Sequence, residues 1–248
     1  MTVSSGRVLV TGASRGIGRA TAETIVARGG RVVAVARDTD RLEALREAAP
    51  DQVSVLSADL TDTAALPALV DAAAGAFGGL DGVVNCAGIA VYQPVGEIST
   101  AAAEAQVRVN LLAPLFLMQS AARHLLPGSA IVNVSSTLAE RVAPTTAVYA
   151  ATKAGLSSLT QTFAAELASK QIRVNAVLPG VVDTDMVRGP RGQDDRREVE
   201  VRLDDLRRLH PLGRLGQPNE IAEVIVHLLD HPWQTGSLVV VDGGLLVA

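Results

Sequence analysis

The chain has 248 residues, 48% of them apolar and 19% charged, with a net charge of -4. That length suits one large α/β unit, and an acidic balance with only 2% aromatics leaves neither a basic footprint nor a stacking platform for nucleic acid. The single cysteine, Cys86, excludes an intrachain disulfide framework, and neither a signal-like apolar region nor a run near the ~20 residues that span a bilayer is present, so a soluble cytoplasmic protein is expected.

The first predicted strand, 7–11, leads into "TGASRGIG". Gly12, Gly16 and Gly18 there allow a tight turn in which backbone N–H groups approach a phosphate at the start of a helix. The Gly-x3-Gly-x-Gly spacing departs from the common G-x-G-x-x-G fingerprint. The second strand, 31–36, ends in "VVAVARD", where a dinucleotide's adenosine ribose would be read. A carboxylate there suits NAD and a cation suits the 2′-phosphate of NADP. Arg37, with Arg15 from the glycine turn, favours NADP; Asp38 is the rival that would select NAD. After the third strand, 53–57, Asp59 suits a contact to the adenine amino group or, equally, a cap shared with Thr61 and Asp62. A helix is expected from near Asp62, delayed or bent by Pro67.

The fourth and fifth strands, 82–85 and 130–135, precede the segment that carries Ser136, Tyr149 and Lys153. Tyr149 and Lys153 are four apart, on one helical face. The ammonium is expected to lower the phenol's pKa from ~10, so that it exchanges a proton with an alkoxide or alcohol. The Ser136 hydroxyl could hold a carbonyl oxygen where charge develops. Read without that context, a Tyr-x3-Lys pair is an ordinary helix surface pair.

The sixth and seventh strands are 172–178 and 237–242. Between them, residues 186–210 carry seven Arg and six Asp/Glu, read as a solvated loop and helix or as a lid over a site. Continuous apolar strands alternating with helical segments predict an α/β fold: a three-layer, doubly wound Rossmann arrangement on a seven-stranded parallel sheet, in one unit over 1–248. The four histidines are dispersed, and with one cysteine they form no zinc set.

Taken together, "TGASRGIG" (11–18), "NCAG" (85–88), "NLLAP" from Asn110, "IVNVSS" (131–136), "YAATK" (149–153), "PGVVDT" (179–184) and "VVVDGG" (239–244) resemble the short-chain dehydrogenase/reductase family, single-domain branch, over residues 6–244. The pattern is similar to 3-oxoacyl-carrier-protein reductases and carbonyl reductases. The resemblance implies that Tyr149 is the general acid/base. Lys153 would tune it and bind the nicotinamide ribose, Ser136 would orient the carbonyl, and Asn110 would hold a water in a proton relay. It implies NADP(H) contacts from Gly12, Ser14, Arg15, Gly16, Ile17, Gly18, Arg37, Asp59, Leu60, Asn85, Ala87, Gly88, Tyr149, Lys153, Pro179, Gly180, Val182 and Thr184. Substrate contacts are expected from Ser136, Leu138, Tyr92, Thr146 and Met186, together with the 186–210 lid. Family members are usually homotetramers, assembled through the helices bearing Asn110 and Tyr149 and through the C-terminal strand.

Three departures stand out. Cys86 replaces an Asn, Ala139 and Thr145 stand where the family often has Gly, and "LLDHPWQTG" is a few residues short. The leading expectation is an NADPH-dependent reductase of ketones acting on a small molecule. A narrower alternative is a 3-oxoacyl-carrier-protein reductase docking an acidic carrier protein beside Lys170, although Pro127 and Gly128 stand where a basic residue is often found. A third, of another class, is a non-catalytic NADP-sensing protein, against which the intact Asn110, Ser136, Tyr149 and Lys153 argue. A sugar epimerase or dehydratase would need a longer chain with a separate substrate region.

Overall fold

A computed structural model describes residues 2–189 and 196–248. Seven parallel strands form one sheet in the order β3-β2-β1-β4-β5-β6-β7. They are β1 Arg7–Thr11, β2 Arg31–Ala36, β3 Val53–Ser57, β4 Leu80–Asn85, β5 Leu125–Val134, β6 Arg173–Pro179 and β7 Leu238–Val241. The helices are α1 Gly16–Ala27, α2 Thr39–Ala48, α3 Leu66–Ala76, α4 Thr100–Val107, α5 Ala113–Ala121, α6 Ala147–Leu167, α7 Asp185–Arg188, α8 Arg196–Arg208 and α9 Pro218–Asp230. The expected doubly wound architecture is therefore present.

The period-two alternation of each strand builds two cores. Val8, Val10, Val32, Ala34, Val84 and Val132 face one side, where Ile25 of α1 and Ile221, Ile225 and Val226 of α9 cover them. Leu9, Val33, Val35, Val83 and Ile131 face the other, packed by Val70 of α3, Leu117 and Met118 of α5, and Ala164 and Leu167 of α6. Small branched side chains fill both layers, as a sequence with three phenylalanines and one tryptophan requires.

Two elements differ from expectation. β5 starts at Leu125 rather than residue 130, with a register shift between the Leu80 and Gly82 pairings, so "LLPGSA" lies within the strand. The helix expected near Asp62 starts at Leu66, with Pro67 in its first turn, where a missing N–H costs nothing. Residues 190–195 of the expected 186–210 lid lie outside the described residues; on either side stand α7 and α8, linked by Arg202 Nη2 donating to the Arg188 carbonyl at 2.8 Å.

The topology places the site. The connection leaving β1 runs towards β2 and that leaving β4 towards β5, so a crevice opens at the carboxyl ends of β1 and β4. The glycine turn follows β1, Asn85 ends β4, and Ser136 follows β5. No helix of the described residues is long and apolar enough to cross a membrane.

Candidate active site

The glycine turn is shaped by backbone contact. A Cβ on Gly12, at φ +69°, would lie 2.9 Å from the Ala87 backbone, and one on Gly18 would lie 2.3 Å from the Gly12 carbonyl oxygen. Both positions therefore exclude any side chain. Thr11 fixes the floor, its Oγ1 accepting from the Cys86 and Ala87 N–H groups at 3.1 and 3.2 Å. Ser14 and Ile17 are part of the turn, and Arg15 caps α1 with its side chain exposed. Gly16 abuts the Thr184 side chain, and Pro179 ends β6 on the other side of the crevice, with Gly180 and Val182 following it. Gly180 lies close against Asp242, and Val182 is buried. The Asn85 amide donates to Asn133 at 2.8 Å, and its buried Oδ1 has no partner among the described residues. An orphaned acceptor beside a cradle that a Cβ would fill fits a bound dinucleotide.

At the end of the crevice expected to take adenosine, Arg37 is exposed beyond β2 and acts on Asp59, whose carboxyl sits below its ordinary range chiefly through hydrogen bonds from Thr61, with Arg37 contributing less. Asp59 Oδ1 takes the Thr61 N–H and hydroxyl, both at 2.9 Å, so the capping alternative describes that oxygen. Leu60 beside it is buried. Asp38, the rival carboxylate, caps α2 and pairs with Arg41 Nε at 3.1 Å.

Tyr149, Lys153, Ser136 and Asn110 converge from different elements, each at most 8% exposed. Tyr149 and Lys153 share a face of α6, with the ammonium 5.7 Å from the centre of the phenol ring. Lys153 Nζ donates to the Val134 carbonyl at 2.8 Å, tying α6 to the end of β5. The Ser136 hydroxyl acts on the Tyr149 phenol, and its Oγ accepts from the Leu138 N–H at 3.1 Å. Asn110 lies in a π-helical turn, Arg108–Leu112, between α4 and α5, a distortion frequent at functional positions. Its side chain exchanges hydrogen bonds with the Ile89 N–H and carbonyl at 2.9 and 2.8 Å and donates to Thr152 Oγ1 at 3.2 Å. A Cβ on Gly88 would touch both Asn110 Oδ1 and Lys153 Nζ, which defines how closely these groups approach.

The electrostatics differ from the expected tuning. Burial drives the Tyr149 phenol above its ordinary value, Tyr92 adds to this, and only the Ser136 hydroxyl opposes it. Burial likewise lowers Lys153 to about 8, against a smaller opposing effect of Cys86. Desolvation is the largest cause for both groups, because neither has a bulk-water shell. The phenol is thus held protonated at neutral pH.

Among the substrate positions, Tyr92 stands edge-on to Tyr149 at 6.4 Å, Leu138 follows Ser136 in a 3-10 turn, and Met186 is exposed on α7. Thr146 is buried, and its hydroxyl donates to the Ala143 carbonyl at 2.8 Å.

A family described as enoyl-(acyl carrier protein) reductase matches residues 12–246. An L-xylulose reductase of Mesocricetus auratus is 39% identical, over 97% of this chain and 96% of its own. A D-erythrulose reductase of Gallus gallus is 38% identical, over 98% and 96%. The crystal structure of a short chain dehydrogenase from Burkholderia cenocepacia, in complex with NADP, superposes with a TM-score of 0.89 at 33% identity, covering 99% of this chain and 100% of that one. The chain belongs to the short-chain dehydrogenase/reductase family. As a member it is an oxidoreductase of CH–OH and C=O groups.

Several residues of this short-chain dehydrogenase/reductase site were not singled out from sequence. Thr11 and Thr152 have no charge or motif to mark them, yet each joins two parts of the site: Thr152 Oγ1 accepts from Asn110 and donates to the Tyr149 carbonyl at 2.7 Å. Arg41 is hidden in a helix rich in charge. Lys170, expected beside the mouth, follows the far end of α6, roughly 30 Å along the helix from Tyr149 at ~1.5 Å per residue, before β6 begins. The mouth of the same subunit lies at the opposite, carboxyl edge of the sheet.

Proposed function

We propose that this enzyme is an NADPH-dependent reductase of ketones. The observation that carries the reading is the buried convergence of a protonated phenol, a serine hydroxyl and a lysine beside a glycine-lined dinucleotide crevice. The bound nicotinamide supplies the hydride. Ser136 donates a hydrogen bond to the carbonyl oxygen, and Tyr149 delivers its proton to that oxygen as negative charge develops. Lys153 stabilises the phenolate left behind, and its low pKa lets it pass a proton on. Asn110, held by Ile89 and Thr152, positions the relay water beside Lys153. A phenol held protonated favours reduction over oxidation at neutral pH, since oxidation needs the phenolate first.

Support for NADPH comes from Arg15 and Arg37 at the ribose end and from the engagement of Asp38 with Arg41. The Burkholderia relative is described in complex with NADP. The mammalian and avian relatives are named for ketose reduction, so small hydroxyketones belong in the first substrate panel. The enzyme is read as a homotetramer. Val240 on the edge strand β7, Trp233 before it and Val247 after it present apolar surface for one interface.

Turnover of a panel of ketoses, cyclic ketones and β-keto thioesters, with NADPH against NADH, tests the reading. NADPH is expected to be preferred, and Arg37→Asp to shift preference towards NADH. A wild type that uses NADH better overturns the cofactor assignment. Cofactor binding with no turnover across the panel would favour an NADP-sensing protein.

A further inference from the structure

Asp185, the first residue of α7, stands between two arginines from separate segments. Its Oδ2 is 3.3 Å from Arg41 Nη1 of α2 and 3.9 Å from Arg15 Nη1 of the glycine turn. The contact is only partly solvated: the Asp185 side chain is 23% exposed, against 39% for Arg41 and 61% for Arg15. Thr184, immediately before it, sets its side chain against Gly16 at the start of α1. Arg41 is further oriented by Asp38, through both its Nε and its backbone N–H.

We infer that Asp185 is a positioning residue for cofactor choice, competing with the 2′-phosphate of NADPH for the guanidinium groups of Arg15 and Arg41. The inference rests on the proposed function, which puts that phosphate beside Arg15 and Arg37. A phosphomonoester brings roughly -1.5 to -2 charge and three acceptor oxygens to a place where a carboxylate already takes the nearest donors. The two anions repel, and each guanidinium has a fixed fork of donors to share. The phosphate outbids the carboxylate on charge, and Asp185 gives way. NADH lacks the phosphate, so nothing competes and the ionic link persists. Partly exposed pairs add little to fold stability, so loss of the carboxylate acts mainly on binding.

The test is titration of the intact enzyme with NADPH and with NADH, for the wild type, Asp185→Asn, Arg41→Ala and the double variant. Asp185→Asn is expected to tighten NADPH about threefold to tenfold and to leave NADH unchanged. In the Arg41→Ala background NADPH binds more weakly, and the gain from Asp185→Asn shrinks. An Asp185→Asn enzyme whose NADPH affinity is unchanged, or which loses both cofactors equally, overturns the inference, since a plain loop anchor predicts the second result. Wild-type preference for NADH is visible before any variant is made; it overturns the cofactor reading and this inference with it.

Discussion

Lys153 Nζ reaches the Val134 carbonyl at 2.8 Å while lying 5.7 Å from the centre of the Tyr149 ring, so one buried ammonium both ties α6 to β5 and faces the proposed acid. Its pKa, lowered by burial from 10.5 to about 8, makes stability depend on pH with a definite sign. Between these two values the unfolded chain binds the proton and the folded one does not. Stability therefore rises with pH across that window, by roughly 3 kcal/mol in total. Denaturant unfolding of the wild type and Lys153→Met across the window checks this. The difference between them should change steeply with pH, and a flat difference would mean that Lys153 keeps its proton when buried.

Thr145 has a φ of 67°, in the left-handed region that a β-branched residue avoids, and its carbonyl accepts from the Gln93 N–H at 3.0 Å. The strain is worth ~1–2 kcal/mol, partly offset in a glycine variant by the greater freedom of the unfolded chain. Thr145→Gly is expected to raise stability by about 0.5–1 kcal/mol, seen as a higher Tm. A lower Tm would show that the threonine is held without strain.

Thr11 satisfies two N–H groups of the β4 loop through one hydroxyl. Thr11→Val preserves shape but removes that acceptor, at a cost of about 1–3 kcal/mol. It should also weaken binding of both NADPH and NADH, because Ala87 forms the wall that Gly12 packs against. Unchanged unfolding and unchanged cofactor affinity together would show that water replaces the hydroxyl.

The fold was readable because each strand is a short Val-rich run between helical segments, a pattern that only a sheet covered on both faces explains. The Gly12 and Gly18 positions were equally readable, since close backbone approach admits no other residue. The sequence could not display desolvation. Four-residue spacing suggested a lysine lowering a phenol's pKa, whereas burial of the phenol raises it. Nor could it show that Thr146 turns into its own loop, or that α6 carries Lys170 to the far edge of the sheet. Asp185 and Arg41 are 144 residues apart in sequence, and only the tertiary fold brings them together.

The central claim is that Tyr149 gives the proton in ketone reduction. The most direct measurement is turnover of Tyr149→Phe with NADPH and the best ketone of the panel, alongside its NADPH affinity. The ring and its packing against Tyr92 remain, and only the hydroxyl is lost. The account predicts a fall in kcat of roughly a hundredfold to ten-thousandfold with NADPH affinity unchanged. Turnover within a fewfold of wild type would contradict it.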